Sequence, residues 1–575
     1  MNLLLPSVSR YQRSDLIWLG LLTFLLLALG IGLRAPWPAD EPRFALIAKD
    51  MVETGQWLFP MRGHELYPDK PPLFMWSIAI FYALTGSLYV AFLLPSAIAG
   101  TVTVLAVFDI CRRLWGRREA WWAAGLLLAS VQFVLQAKSA QIDASVCMWV
   151  TLGCYGLMRA TLCQEGHITW WLAGCVAMGL GIMTKGVGFL ALLMLLPYAL
   201  VLWRQTPVKI LPKRYHWGWW ATGVLTMLIT LMLWLLPMLL AVDGRLDPAY
   251  NAYRDNILMK QTVTRYANSW HHIKPFWYFL INVVPWAWLP LVALLPWQWP
   301  HWRSAWRNND ARIIMPLGYV LLVLMFFSMS PGKRGVYILP ALPMLALAMA
   351  PFMPHIADKK WLSRTLWGLP LLIGSSFFIL GGLGLVDTGP VAKLNQRYEV
   401  DGSGLFLATG LAVLVALFAV RRRAGWQAWG ITMLVVWCSY SVGFASLLNP
   451  IRTPAGVWQA IDSSVPANHE IALLDTGEQF MLFARRPVVH FGYHTPPEAE
   501  MFAAWQWLKI HPAGHLLLPA SRESACLDLT KGHPVGRAHR EDWLLLGADG
   551  LKADCPSTDI KATTFRYEPI NPLIR

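Results

Sequence analysis

Residues 16–33 read LIWLGLLTFLLLALGIGL, an apolar run without a charge, and the chain leaves it through Arg34-Ala35-Pro36-Trp37-Pro38-Ala39-Asp40-Glu41-Pro42-Arg43. The run approaches the roughly 20 apolar residues that carry a helix across a bilayer. Its basic flank resembles a signal peptide, but no small-residue cleavage site follows, so it reads as a retained span. Runs of the same kind recur as far as Leu447. Hydrophobic residues make up 56% of the 575 residues and charged ones only 14%, well under the roughly one quarter usual in soluble domains. The class is a polytopic helical membrane protein, and the 32 Trp suit a chain with many bilayer interfaces.

The net charge of +15 sits in short loops between spans. It is therefore a topology signal and not a nucleic-acid footprint. Arg10 and Arg13 place the N-terminus in the cytoplasm. Arg112-Arg113 with Arg117-Arg118, the loops 204–214, 303–312 and 359–364, and Arg421-Arg422-Arg423 mark further cytoplasmic loops. An even number of spans must separate each from the next. The runs 119–136, 141–162, 168–183, 186–203, 217–241, 276–299, 313–330, 335–353, 366–386, 403–420 and 426–447 satisfy this. Between the first span and Arg112 parity allows one crossing for two stretches, 72–86 and 89–111. The shorter is expected to lie at the membrane interface. The expected fold is all-α and polytopic, with about thirteen spans over residues 1–450.

Residues 451–575 change character. Apolar bursts at 471–474, 487–491, 515–518 and 543–546 alternate with Gly and Pro and read as strands, and 502–510 reads as helix. A small C-terminal α/β domain outside the inner membrane is expected. Six of the eight cysteines lie in or beside apolar runs and read as packing residues. Cys526 and Cys555 lie in the outer region, where a disulfide between them can form.

The outer ends of the spans hold the chemistry. Asp40 and Glu41 stand where the first span exits, ahead of an amphipathic pattern. Phe44, Ile47, Ala48 and Met51 share one face, with Arg43, Asp50 and Glu53 opposite and Gly55 as a stop. The plain alternative is that Asp40 caps that helix. Lys70, in Asp69-Lys70-Pro71, is either an interface anchor or a point charge for a phosphate. Asp143 lies at the mouth of its span, and Lys185 sits in Met183-Thr184-Lys185-Gly186 between two short runs. The loop 242–275 carries Arg265, His271 and His272, whose spacing matches no standard zinc pattern. Lys333 and Arg334, flanked by glycines ahead of Tyr337, form a compact anion site. Cations on one membrane face suit a phosphate at headgroup level. Carboxylates beside them suit a sugar acceptor or charge developing at an anomeric carbon. A transporter or flippase would instead gather its charges near the midplane.

Asp40-Glu41-Pro42-Arg43, Asp69-Lys70-Pro71, Asp143, Met183-Thr184-Lys185-Gly186, His272-Ile273-Lys274-Pro275-Phe276-Trp277-Tyr278 and Gly332-Lys333-Arg334 with Tyr337-Ile338-Leu339-Pro340, in this order, resemble the bacterial aminoarabinose lipid A transferases. These belong to a membrane glycosyltransferase superfamily that includes protein O-mannosyltransferases. The resemblance covers residues 15–450. It implies inverting transfer from a polyprenyl-phosphate sugar donor to a lipid or glycolipid acceptor, on the periplasmic face of the bacterial inner membrane. It implies Asp40, with Glu41 beside it, as the catalytic carboxylates. Arg43, Lys70, Lys185, Lys333, Arg334 and Tyr337 would hold the donor phosphate, with Asp143 and Arg265 toward the sugar or acceptor. His272 matches a position linked to a divalent metal, but its partner there is Glu where this chain has Asp69. The alternatives are a glycosyltransferase for protein or polysaccharide hydroxyls, and a flippase for polyprenyl-linked sugars.

Overall fold

The structure, a computed structural model, describes residues 10–204, 212–258, 273–357, 359–420, 424–475, 477–571 and 573, with side chains from residue 13 onward. Helices dominate it as far as Arg452. Among the described residues seven helices are long and apolar enough to cross a membrane, or nine if each of two bent pairs is one span. The pairs are Arg117–Ala129 with Val131–Ala137, bent by 72°, and Phe279–Ala287 with Leu291–Arg307, bent by 102°. The run 72–86 forms the helix Leu73–Thr85 of 13 residues. At about 1.5 Å per residue it falls short of the roughly 30 Å hydrocarbon core.

Close backbone approach holds part of the bundle together. Helices Ile142–Leu162 and Ile168–Lys185 pack side by side. A Cβ on Gly156 would lie 2.4 Å from the Trp170 carbonyl oxygen and 2.8 Å from the Gly174 Cα. Only small residues permit that contact, the usual device where lipid supplies no hydrophobic drive between helices. The two helices run antiparallel across a short connection. The first turn of one, with Asp143, and the last turn of the other, with Lys185, therefore reach the same end.

The helix Glu41–Thr54 follows the first span. Pro42 sits in its first turn, where the missing N–H costs nothing, and Gly55 ends it at φ 74° with its N–H on the Met51 carbonyl. A hairpin of β1 (Met61–Arg62) and β2 (Glu65–Leu66) comes next.

The C-terminal region carries a six-stranded sheet. Its strands are β3 (Ile471–Leu473), β4 (Val488–His490), β5 (His515–Pro519), β6 (His533–Ala538), β7 (Glu541–Leu546) and β8 (Phe565–Tyr567), in the order β6-β7-β5-β3-β4-β8. β3 pairs parallel with β4 and β5, and the outer pairings are antiparallel. Each of the four apolar bursts falls on a strand. β6 and β8 went unseen because His533, Pro534 and Gly536 break any alternation in the first, and the second is three residues long. The expected helix 502–510 extends back to Pro497. Cys526 and Cys555 are disulfide-bonded with Cα atoms 4.5 Å apart.

The polar face of Glu41–Thr54 does not face water, which corrects the expectation of an amphipathic surface helix. The C-terminal region covers it. Phe44, Leu46 and Met51 share a buried apolar cluster with Val457, Trp458, Phe480 and Met481. Lys49, 1% exposed, donates to Glu53 at 2.7 Å and to the Tyr567 hydroxyl at 3.1 Å. Asp50 accepts from the Gly63 N–H at 3.1 Å, and His490 Nε2 donates to the Gly63 carbonyl at 2.9 Å. A charged helix face reads as solvated in a sequence. Here each ionisable group on it has found a buried partner, as burial requires.

Candidate active site

Asp40 occupies the position just before the helix Glu41–Thr54 but makes no side-chain capping hydrogen bond. Its carboxylate faces across the molecule. Oδ2 accepts from Arg334 at 2.6 Å, and Oδ1 lies 3.8 Å from an Arg43 Nη. Burial works to raise its pKa, but the Arg334 guanidinium, helped by Arg43 and Lys185, holds the carboxyl below the usual range. The group is ionised at neutral pH.

Around this pair the structure gathers other expected residues. Asp143 binds the Lys185 ammonium in a mostly buried ion pair. The helix ends favour this, since a carboxylate suits an N-terminus and an ammonium a C-terminus. The same ammonium lies 4.6 Å from the centre of the Tyr337 ring. Arg334 also feels Asp143 and Tyr337. Asp40, Arg43, Asp143, Lys185, Arg334 and Tyr337 thus form one electrostatic cluster, supplied by four separate parts of the chain. Three cations face two carboxylates, and Arg62 and Glu478, paired beside Arg43, add one charge of each sign, which leaves an excess of one positive charge for an anionic ligand.

Other expected residues are placed differently. Glu41, expected as a catalytic partner of Asp40, is held in a network of its own. Its oxygens accept from Arg34 at 2.5 and 2.8 Å, from the Trp37 N–H at 2.8 Å and from the Ala140 N–H at 2.9 Å. That clasp fixes the loop carrying Asp40 to the 138–140 turn. Lys333, read as a phosphate ligand, is 4% exposed and donates to the carbonyls of Ser330 at 2.5 Å and Lys274 at 2.9 Å. It ties the 331–335 loop to the end of the long outer loop, where Ile273 and Gly332 form a β-bridge. Both placements have one cause: a buried charge close to backbone polar groups is drawn into them. Lys70 donates to the Asp69 carbonyl at 2.9 Å. Arg265, His271 and His272 lie outside the described residues. Among those described, no group of three metal-ligating side chains is assembled, around Asp69 or elsewhere.

Three residues of the site were not found in the sequence. Glu478 accepts from Arg43 Nε at 2.7 Å and from Arg62 at 3.2 Å, so the C-terminal region sets the orientation of Arg43. Arg62 in turn stacks 3.5 Å from the Tyr493 ring centre. Nothing local marks Glu478 or Arg62. Arg34 had a signal, a lone cation at the end of an apolar run, which fits the snorkelling anchor that it is not.

The family model described as dolichyl-phosphate-mannose-protein mannosyltransferase matches residues 69–234. The fold superposes on the crystal structure of ArnT from Cupriavidus metallidurans bound to undecaprenyl phosphate. The TM-score is 0.70 at 18% identity, covering 94% of this chain and 98% of that one. The fold is therefore that of a multi-pass membrane protein. The undecaprenyl phosphate-alpha-4-amino-4-deoxy-L-arabinose arabinosyl transferase of Pectobacterium carotovorum is 31% identical over 456 residues, 77% of this chain and 76% of the relative. A transferase of the same name from Pseudomonas fluorescens is 32% identical over 431 residues, 73% of each chain. The chain belongs to this family of arabinosyl transferases.

Proposed function

We propose that the protein transfers 4-amino-4-deoxy-L-arabinose, or a closely related sugar, from an undecaprenyl-phosphate donor to lipid A, with inversion, at the periplasmic face of the inner membrane. The observation that carries this reading is an ionised Asp40 held between Arg334 and Arg43 beside the Asp143–Lys185 pair.

In this reading Arg43, Arg334 and Lys185 receive the donor phosphate, and their charge stabilises it as it leaves. Preorganised charge of this kind, in a site poor in water, is usually the largest catalytic contribution. Tyr337 and Asp143 keep the Lys185 ammonium in place. A carboxylate with a depressed pKa is a weak base. Asp40 therefore orients the acceptor and offsets positive charge at the anomeric carbon. A phosphate acceptor, which has no proton to lose, needs nothing more. Lys70, three residues ahead of the helix Leu73–Thr85, is in this reading a further cation for the donor phosphate. A divalent metal at His272 and Asp69 has no support among the described residues.

The topology that serves this site has thirteen crossings. The nine long or paired helices are joined by Arg10–Ala28, Ile142–Leu162, Gly188–Trp203 and Ser403–Ala419, with Leu73–Thr85 in the interface. Residues 451–575 then form a periplasmic α/β domain resting on residues 41–66. Purified protein incubated with undecaprenyl-phosphate aminoarabinose and lipid A should add the mass of one aminoarabinose to lipid A. No added mass on lipid A, with transfer to a protein or polysaccharide hydroxyl instead, rejects the acceptor. Cysteine labelling should find residues 40 and 333 on the same side of the membrane, and opposite sides would dismantle the site.

A further inference from the structure

A cavity of about 480 Å³ opens between the loop that carries Asp40 and the C-terminal sheet, within the roughly 300–1,000 Å³ range of small-molecule sites. Pro38, Ala39 and Pro42 form one wall. They flank Asp40 in the chain, and a step between neighbouring Cα atoms is about 3.8 Å. The opposite wall carries Asp475, Glu478 and Glu541 with Arg522. Glu478 thus faces the cavity while its Oε1 holds Arg43 at 2.7 Å, so the cavity and the charged cluster share a side chain.

The lining decides what fits. Arg522 is already held by Asp475 and Glu500, each at 2.9 Å. Glu478 is taken up by Arg43 and Arg62, so among the described residues Glu541 is the lining carboxylate left without a cation, and a phosphate seated against it would be repelled. Hydroxyl and amine donors would be welcomed. Glu541 accepts only one side-chain hydrogen bond among the described residues, from the Ser521 hydroxyl at 3.0 Å. A carboxylate free of cations and the Ser521 hydroxyl beside it, in a cleft of this size, suit a saccharide.

We propose that this cavity seats the saccharide backbone of the acceptor, while the acceptor's reacting group reaches the cations around Asp40. The assignment of acceptor rests on the transfer reading above. The C-terminal region then supplies one half of the acceptor site and, through Glu478, the alignment of Arg43.

The test is Ser521→Trp, which fills the cavity from its rim, with Glu541→Gln as a second variant of nearly unchanged shape. Full-length protein in detergent is titrated with the acyl-free glucosamine disaccharide of lipid A and followed by saturation-transfer NMR. Wild type should bind it, Ser521→Trp should bind it at least tenfold more weakly, and Glu541→Gln severalfold more weakly. Equal binding by all three, or none by wild type, overturns the site. In the transfer assay both variants should raise the KM for acceptor by similar factors and leave the KM for donor within about twofold. A rise confined to the donor would overturn the acceptor assignment. Wild-type binding of the disaccharide without any transfer would sink the transfer reading and leave the saccharide site standing.

Discussion

Asp40→Asn separates turnover from ground-state binding. The carboxylate lies 2.6 Å from Arg334 and 3.8 Å from Arg43. At an effective dielectric near 20 these are attractions of roughly 6 and 4 kcal/mol before desolvation is subtracted. Asparagine keeps the shape and removes the charge. The cost in stability should be modest, on the order of 1 kcal/mol, because Arg334 is 35% exposed and water screens what is lost. Arg334 then lacks its counter-charge, while Arg43 keeps Glu478 at 2.7 Å, so the site becomes more positive by one charge and binds an anionic donor as tightly as before or more so. Turnover should still fall at least about 1,000-fold, about 4 kcal/mol in the barrier, because the negative charge at the reaction centre is gone. The assay is steady-state transfer by purified variant, with donor and acceptor varied separately and folding checked by size exclusion. A kcat within about tenfold of wild type would remove Asp40 from the mechanism. A lost kcat together with a donor KM raised severalfold would instead make Asp40 a donor-binding residue and refute the proposed charge balance.

Glu41→Gln, one residue away, should behave in the opposite way. It breaks a pair with Arg34 in which both side chains are under 10% exposed, a change that costs roughly 3–5 kcal/mol. The yield of folded protein and its melting temperature should drop, while kcat per folded molecule stays within a fewfold of wild type. For Asp50, burial raises the carboxyl pKa to about 8. A carboxyl raised in the folded state contributes most below its unfolded pKa, and that stability is lost as pH rises through 8. Asp50→Asn should therefore match wild type in melting temperature near pH 4, the ordinary carboxyl pKa, and exceed it by a margin that grows up to about pH 8, and parallel curves across that range would show Asp50 ionised throughout. His490 is held near pKa 4, chiefly by burial. Its neutral form is favoured in the folded state, so stability present above pH 6.5 should decline between 6.5 and 4, visible as a loss in wild type that His490→Gln lacks. Replacing Cys526 and Cys555 by Ser opens a loop closed over a separation of 29 residues. It should destabilise the C-terminal region by about 3 kcal/mol, read as earlier proteolysis of residues 451–575 with the spans intact.

The sequence by itself determined the membrane class and where most of the apolar helices fall. Hydrophobic length and the distribution of Lys and Arg are properties of a chain in a bilayer and need no tertiary contact. It also marked Asp40, Arg43, Asp143, Lys185, Arg334 and Tyr337, because charge or an aromatic ring at the end of a span stands out against an apolar background. Only the tertiary structure decided which charges remain available. Asp40 and Glu41 are neighbours of the same type, yet one faces two guanidinium groups across the site and the other is consumed by Arg34 and two backbone N–H groups. Lys333 and Arg334 divide in the same way, one bound to carbonyls and the other to Asp40. Glu478, more than 400 residues from Arg43, had no sequence signal at all. The fate of a charge depends on which polar groups burial brings within about 3 Å, and that is settled by packing between distant segments.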